Sequence, residues 1–190
     1  MKNDPWNFEN DGAAERKYKA AMSNGRGRQF EMMIEGGCRH YKALGRAKIE
    51  KMPEPFRCLK KDQRGIATVR FIAHAEPDYM GTLQGGRAIV FEAKYTDKDR
   101  LLQSAVTDTQ EKSLQMYSDM NALTAVCIGI QDQYFMIPWN IFADMKGNYG
   151  RKYVTAADVE EYRVKFTGVV QFLDYVHGTT KYIRTNIENA

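Results

Sequence analysis

Long apolar runs are missing from this 190-residue chain; none approaches the roughly 18 residues of a membrane span. The opening MKNDPWNFEN is polar and acidic, so a secretory signal is not expected. Cysteine is scarce. Cys38, Cys58 and Cys127 lie far apart and form no CxxC pair. That argues against a disulfide framework and for reduced thiols in a cytoplasmic protein. Histidine is scarce too: His40, His74 and His177 show no ligand spacing, which disfavours a histidine-bound metal. There is no internal repeat and no low-complexity tract. GTLQGG is no phosphate loop, because it precedes a strand and lacks the Lys-Ser/Thr ending. What remains is a chain long enough for one domain with a real core.

A strong charge imbalance is also lacking, since the formal net charge is only +4. Its distribution says more than its size. GRGR places Arg26 and Arg28 together, and Arg57, Lys60, Lys61, Arg64 and Arg70 form a second basic stretch. Such runs suit phosphate contacts, although most are simply solvated faces.

The apolar pattern reads as one α/β domain with a mixed central sheet and helices on both sides. Residues 1–23 are charged, with a weak helical pattern around Ala13–Met22, and read as a mobile N-terminal arm or a loosely attached helix. The remainder, 24–190, reads as the folded domain. SNGRG interrupts the helical pattern, and from Phe30 the residues Met33, Ile34, Cys38, Tyr41 and Leu44 make one helical stripe. Glu31 stands about 100° from Phe30, at the edge of that stripe. Gly45 ends the helix, and RAKIEKM reads as a strand stopped by PEP. FRCLK and IATVRFIA, around the turn-like KDQRG, then make a protruding hairpin over about residues 54–74. A helix is expected over residues 101–120. ALTAVCIGI reads as a strand buried on both faces, and YFMIPW as its antiparallel neighbour. NIFADM reads as a short helix, KGNYG as a loop, TAADVEEY as a helix capped by Thr155, and VVQFLDYV as a closing helix. Met32, Met33, Met116 and Met120 read as core filling. Tyr79 and Phe71 read as core residues first and base-stacking residues second.

The stretch PDYMGTLQGGRAIVFEAKYT carries the chemistry. Residues two apart on a strand share a face, so Glu92 and Lys94 point together at the end of an apolar strand. A carboxylate there is costly unless paired or metal-bound. If the turn spans Gln84 to Gly86, Leu83 pairs with Arg87 and Asp78 falls directly opposite Glu92. Two acids roughly 5 Å apart repel unless a cation lies between them. An oxygen-only pair suits a hard ion such as Mg²⁺. Lys94 can then orient water or steady charge developing on a phosphate. The bland alternative is an ordinary ion pair of Glu92 and Lys94 at a strand end.

At these residues the sequence resembles the PD-(D/E)xK nucleases, with PD at Pro77–Asp78 and EAK at Glu92–Lys94. DYMGTLQGGRAIVFEAKYT is similar to the matching stretch of RecU-type Holliday junction resolvases. GRGRQFE and KIEKMPEP upstream, and DTQ, GRKYVTAADVEEY and FLDY downstream, extend the resemblance over about residues 24–176. It implies a restriction-endonuclease-like fold whose stalk, here a few residues shorter than usual, enters a four-way DNA junction. It implies a homodimer making symmetric paired nicks with Mg²⁺ or Mn²⁺. It assigns catalytic roles to Asp78, Glu92 and Lys94, completed by Glu31 and Gln110, with Asp78, Glu92 and Glu31 as metal ligands. Arg26 matches an arginine of the family. The setting would be the cytoplasm of a bacterial or phage-infected cell, with a recombinase as a further partner left open. Two other readings stay open: another nuclease of the superfamily, restriction- or repair-like, and a catalytically inactive junction-binding protein.

Overall fold

Helix α1 (Asp11–Ala43) buries Phe30, Ile34, Cys38 and Tyr41 along one stripe. It stops where Gly45 takes a left-handed φ of 66°. The computed structural model describes residues 11–72 and 77–177. Residues 1–10 of the expected arm, His74 and the end of the hairpin at residues 73–74 lie outside them. The interruption expected at SNGRG is absent: α1 runs through it, and Gly25 and Gly27 are helical. A hypothetical Cβ at either glycine would meet nothing within 4 Å. The two glycines weaken the helix without breaking it.

After α1 come β1 (Ala47–Lys51), then β2 (Phe56–Lys61) and β3 (Ala67–Phe71), which pair only with each other. β4 (Tyr79–Leu83) and β5 (Ala88–Thr96) follow as a hairpin. A short strand β6 (Arg100–Leu102) and a 3-10 turn at Gln103–Ala105 lead into α2 (Asp108–Asp119). β7 (Leu123–Ile130) and β8 (Gln133–Pro138) complete the central sheet. Its order is β1-β4-β5-β7-β8, antiparallel except for the parallel pair β5–β7. The fold is thus α/β with a mixed sheet. β7 is buried from Thr124 to Ile130, as a strand covered on both faces requires. Among the described residues no helix is long and apolar enough to cross a membrane.

The two faces of the sheet are covered by different helices. On one face Phe30 of α1 meets Tyr95, and Tyr79 stacks on Phe91 with centroids 4.9 Å apart. On the other, the Tyr117 hydroxyl of α2 reaches the Met80 sulfur. α3 (Trp139–Ala143) joins α2 through Trp139 Nε1, which donates to Gln115. α4 (Met145–Tyr149), β9 (Tyr153–Thr155), β10 (Val164–Phe166) and β11 (Val170–Tyr175) close the chain. Arg46 and the Tyr41 hydroxyl both bond Asp174, which ties the end of α1 to β11.

Several elements differ from the sequence reading. The helix expected from residue 101 starts at Asp108, because Thr107 and Gln110 form a capping box. Residues 100–102 instead pair with β9. KGNYG is helical, with Asp144 accepting from the Gly147 amide. TAADVEEY begins no α-helix: Asp158 takes the Thr155 amide and hydroxyl, closing a turn. VVQFLDYV is a strand, pairing with β10 and setting Phe172 against Phe91 and Tyr41. Met32, Met116, Met120, Leu44 and Phe71 are exposed and not core, whereas Tyr79 is buried.

Gly37 marks the tightest approach of α1 to β11. A Cβ there would stand 2.2 Å from the Val170 carbonyl oxygen, a backbone atom. Gly37→Ala is therefore expected to lower the melting temperature, despite alanine's helix propensity. The overpacking cost of about 1–3 kcal/mol corresponds to about 2–4 °C per kcal/mol. Gly27→Ala, in open space, should leave it unchanged or raise it. Thermal scans of the two variants check the sign.

Candidate active site

The turn between β4 and β5 sets the site. Gly85 and Gly86 both have φ near 94°, a region open to glycine. Leu83 donates its amide to the Arg87 carbonyl at 2.8 Å, so the loop holds three residues, 84–86. The ladder then runs Thr82–Ala88, Gly81–Ile89, Met80–Val90 and Tyr79–Phe91. One more step puts Asp78 across from Glu92. Asp78 Oδ2 accepts the Ala93 amide at 3.0 Å, which fixes its carboxylate at the end of the hairpin.

Glu92 is fully buried, with 0 % of its surface exposed. Its neighbour on β7, Val126, is equally buried. Gln110 Nε2 donates to Glu92 Oε2 at 2.6 Å, and Lys94 Nζ lies 3.1 Å from the same oxygen. Glu92 Oε1 is buried and has no hydrogen-bond partner. Burial, with the nearby charge of Asp78, pushes the Glu92 carboxyl up to about 8, against the pull of Lys94.

Gln110 is held by the start of α2. Its Oε1 accepts the Thr107 amide at 3.1 Å and Lys94 Nζ at 3.2 Å. One side chain therefore caps a helix and bridges the lysine to the glutamate. The S/T-x-x-Q spacing of Thr107 and Gln110 is the signal in the sequence that marks this helix start, which the expectation of a helix from residue 101 missed.

Glu31 is placed differently. It belongs to α1, which packs on the other face of the sheet, and its Oε2 lies 2.7 Å from Lys51 Nζ. The Tyr79 hydroxyl donates to the Glu31 carbonyl. Partial desolvation opposes the charge of Lys51. The hydrogen bond and charge of Glu31, with Glu35 and Asp78 beyond, still hold its ammonium above the usual lysine range. Lys51 entered the sequence reading only within KIEKMPEP, with no role assigned to it. Its neighbour across the ladder is Tyr79, one residue from Asp78, and the only signal was its place just before PEP.

Among the described residues no group of three or more His, Cys, Asp or Glu side chains converges to hold a metal. A two-carboxylate site still fits a hard divalent ion, which keeps waters and takes phosphate oxygens from its substrate. The buried, unpartnered Glu92 oxygen opposite an aspartate is the observation that fits it.

The basic residues divide into two sets. Arg26 and Arg28 are exposed on α1. Arg57, Lys60, Lys61, Arg64 and Arg70 are exposed on the β2–β3 hairpin. Its turn is closed by Asp62, whose side chain accepts the amides of Arg64 and Ile66.

Comparison with known proteins places these features. Among solved structures, the Holliday junction resolvase Hjc of Archaeoglobus fulgidus superposes with a TM-score of 0.43 and 10 % identity, over 70 % of this chain and 87 % of that one. No curated protein matches the sequence. The family model for RecU, Recombination protein U, matches residues 25–181. The match takes in the β2–β3 hairpin, the acid pair, Lys94 and Gln110, and the chain belongs to the RecU family of Holliday junction resolvases.

Proposed function

We propose that this chain is a structure-selective DNA endonuclease. It resolves four-way junctions by metal-dependent phosphodiester hydrolysis, as a homodimer that makes paired symmetric nicks in the cytoplasm. The observation that carries this reading is the fully buried Glu92 with a free oxygen, opposed by Asp78 and flanked by Lys94. Family membership supports the junction as substrate.

Asp78 and Glu92 would hold a Mg²⁺ or Mn²⁺ ion; Glu31, ion-paired with Lys51, would join them only by leaving that lysine. When bound, the ion neutralises phosphate charge and lowers the pKa of a coordinated water. The protein's own groups do the rest. Lys94 presents an ammonium beside Glu92, placed to orient water and to offset negative charge gained by the phosphate. Gln110 fixes both side chains at once, donating to Glu92 and accepting from Lys94. Val126 and Ile128, buried and paired with Glu92 and Lys94 on β7, keep bulk water from that side. The stalk-like hairpin and Arg26 and Arg28 offer the positive charge that a junction backbone requires.

The test is a mobile four-way junction and a linear duplex, each incubated with protein and Mg²⁺. Paired nicks in the junction alone are expected, and equal cutting of linear duplex sinks the selectivity. Asp78→Asn should reduce cutting by about a thousandfold while junction binding persists. Gln110→Ala, which only positions, should cost about 10–100-fold.

The buried glutamate also predicts a pH dependence without metal. Its carboxyl titrates near 8 in the fold against 4.5 in the unfolded chain, so the folded state binds the proton more tightly. The cost of an ionised Glu92 is therefore absent below 4.5 and complete above about 8. In EDTA, the melting temperature of the wild type should fall relative to Glu92→Gln as pH rises through this window. Each kcal/mol corresponds to about 2–4 °C. A constant difference between the two proteins overturns the assignment.

A further inference from the structure

A cavity of about 160 Å³ opens on the face of β5 opposite Lys94. Lys94 points toward α2, where it meets Gln110. Tyr95, the next residue, points the other way, toward α1. Gly129 on β7 makes room for its ring: a hypothetical Cβ there would stand 2.6 Å from the Tyr95 ring. The tyrosine is half-buried, so part of its ring lines the opening. Phe30 and Tyr134 back the cavity, with rings stacked 5.6 Å apart.

The rim is polar. Arg26 and Gln29 reach it from α1, and Gln131 and Asp132 from the turn between β7 and β8; all four are exposed. Gln131 has a left-handed φ of 55°, uncommon for a residue with a side chain. Its amide donates to the Thr96 carbonyl at 2.9 Å, which closes the turn against the end of β5. Glycine would ease that turn, whereas glutamine keeps an amide at the rim. Apart from Arg26, none of these groups serves the proposed chemistry.

We infer that this cavity takes one nucleobase of the cut strand, beside the scissile phosphate, and favours a base with an exocyclic amino group over thymine. The inference rests on the proposed function for its substrate. Aromatic walls suit the flat face of a base, and hydrogen-bonding groups at a rim read its edge. Gln29 and Gln131 each offer a donor and an acceptor. An ionised Asp132 only accepts, so it takes an amino hydrogen of cytosine or adenine and repels the carbonyl oxygens of thymine. Arg26 supplies the positive charge for the attached phosphate. Consecutive Cα atoms stand about 3.8 Å apart, so a backbone gripped at Lys94 leaves its next base at Tyr95. Turning a base out costs least where pairing is already weakened, as at the exchange point of a branched duplex.

The test uses full-length protein, Mg²⁺ and a pool of four-way junctions randomised at the positions flanking the exchange point, with the nicks sequenced. At one flanking position, amino-bearing bases should exceed thymine by about tenfold. Asp132→Asn, which adds a donor, should shrink that ratio to under about threefold. Tyr95→Leu should slow cutting about tenfold, and Tyr95→Phe, which keeps the ring, should recover most of the loss. An abasic nucleotide at that position should slow the wild type and slow Tyr95→Leu no further. Should Tyr95→Leu fail to fold, the exposed Asp132→Asn and the abasic substrate still decide. Without metal, junctions carrying iodocytosine at each flanking position in turn should photocrosslink to Tyr95 at one of them. Junction cutting with a flat base profile, or with a preference that Asp132→Asn leaves unchanged, overturns the base cavity while the proposed function stands. A Tyr95 crosslink in a complex that cuts no junction overturns the proposed function and leaves the base cavity standing.

Discussion

One buried carboxylate organises this molecule. Glu92 sits at 0 % exposure on a strand whose other residues are mostly apolar, and such a group is tolerated only when its oxygens are answered. One oxygen takes Gln110 and Lys94. The other is buried without a partner. The surrounding construction serves this arrangement. The connection from β5 to the parallel β7 carries α2, and the first turn of α2 supplies the glutamine. The β4–β5 turn sets the register that brings the aspartate across.

Legibility in the sequence followed the range of the interactions. The acid pair could be read because it depends only on a strand's period of two and on a three-residue glycine turn. β7 and β8 were legible for similar reasons, as an apolar run followed by a short turn. The end of the chain was not. VVQFLDYV offers apolar residues at both helical and strand spacing, and pairing with β10 decides between them. The first turn of α2 was displaced because residues 100–102 find a distant partner in β9. Lys51 was assigned no role because its carboxylate partner, Glu31, lies on another element and approaches only once α1 has packed. Side chains joined by tertiary packing leave little periodic trace.

The hairpin β2–β3 shows how one extra residue changes a surface. Without the bulge at Leu59, basic and apolar side chains would be mixed on both faces. With it, Arg57, Lys60 and Arg70 align on one side, and the phenylalanines and Val69 occupy the other. The bulge thus acts on the pattern of charge more than on the shape of the backbone. The basic stretch in the sequence reads as a single cluster, and only the register resolves it into a side.

Asp78, Glu92 and Lys94 all belong to one hairpin closed by three residues. Their meeting needs only short-range chain closure, whose entropic cost is small. The acid pair and lysine of the proposed site are consequently written as one contiguous word. Segments outside it, the β2–β3 hairpin among them, can lengthen or shorten while that word keeps its spelling.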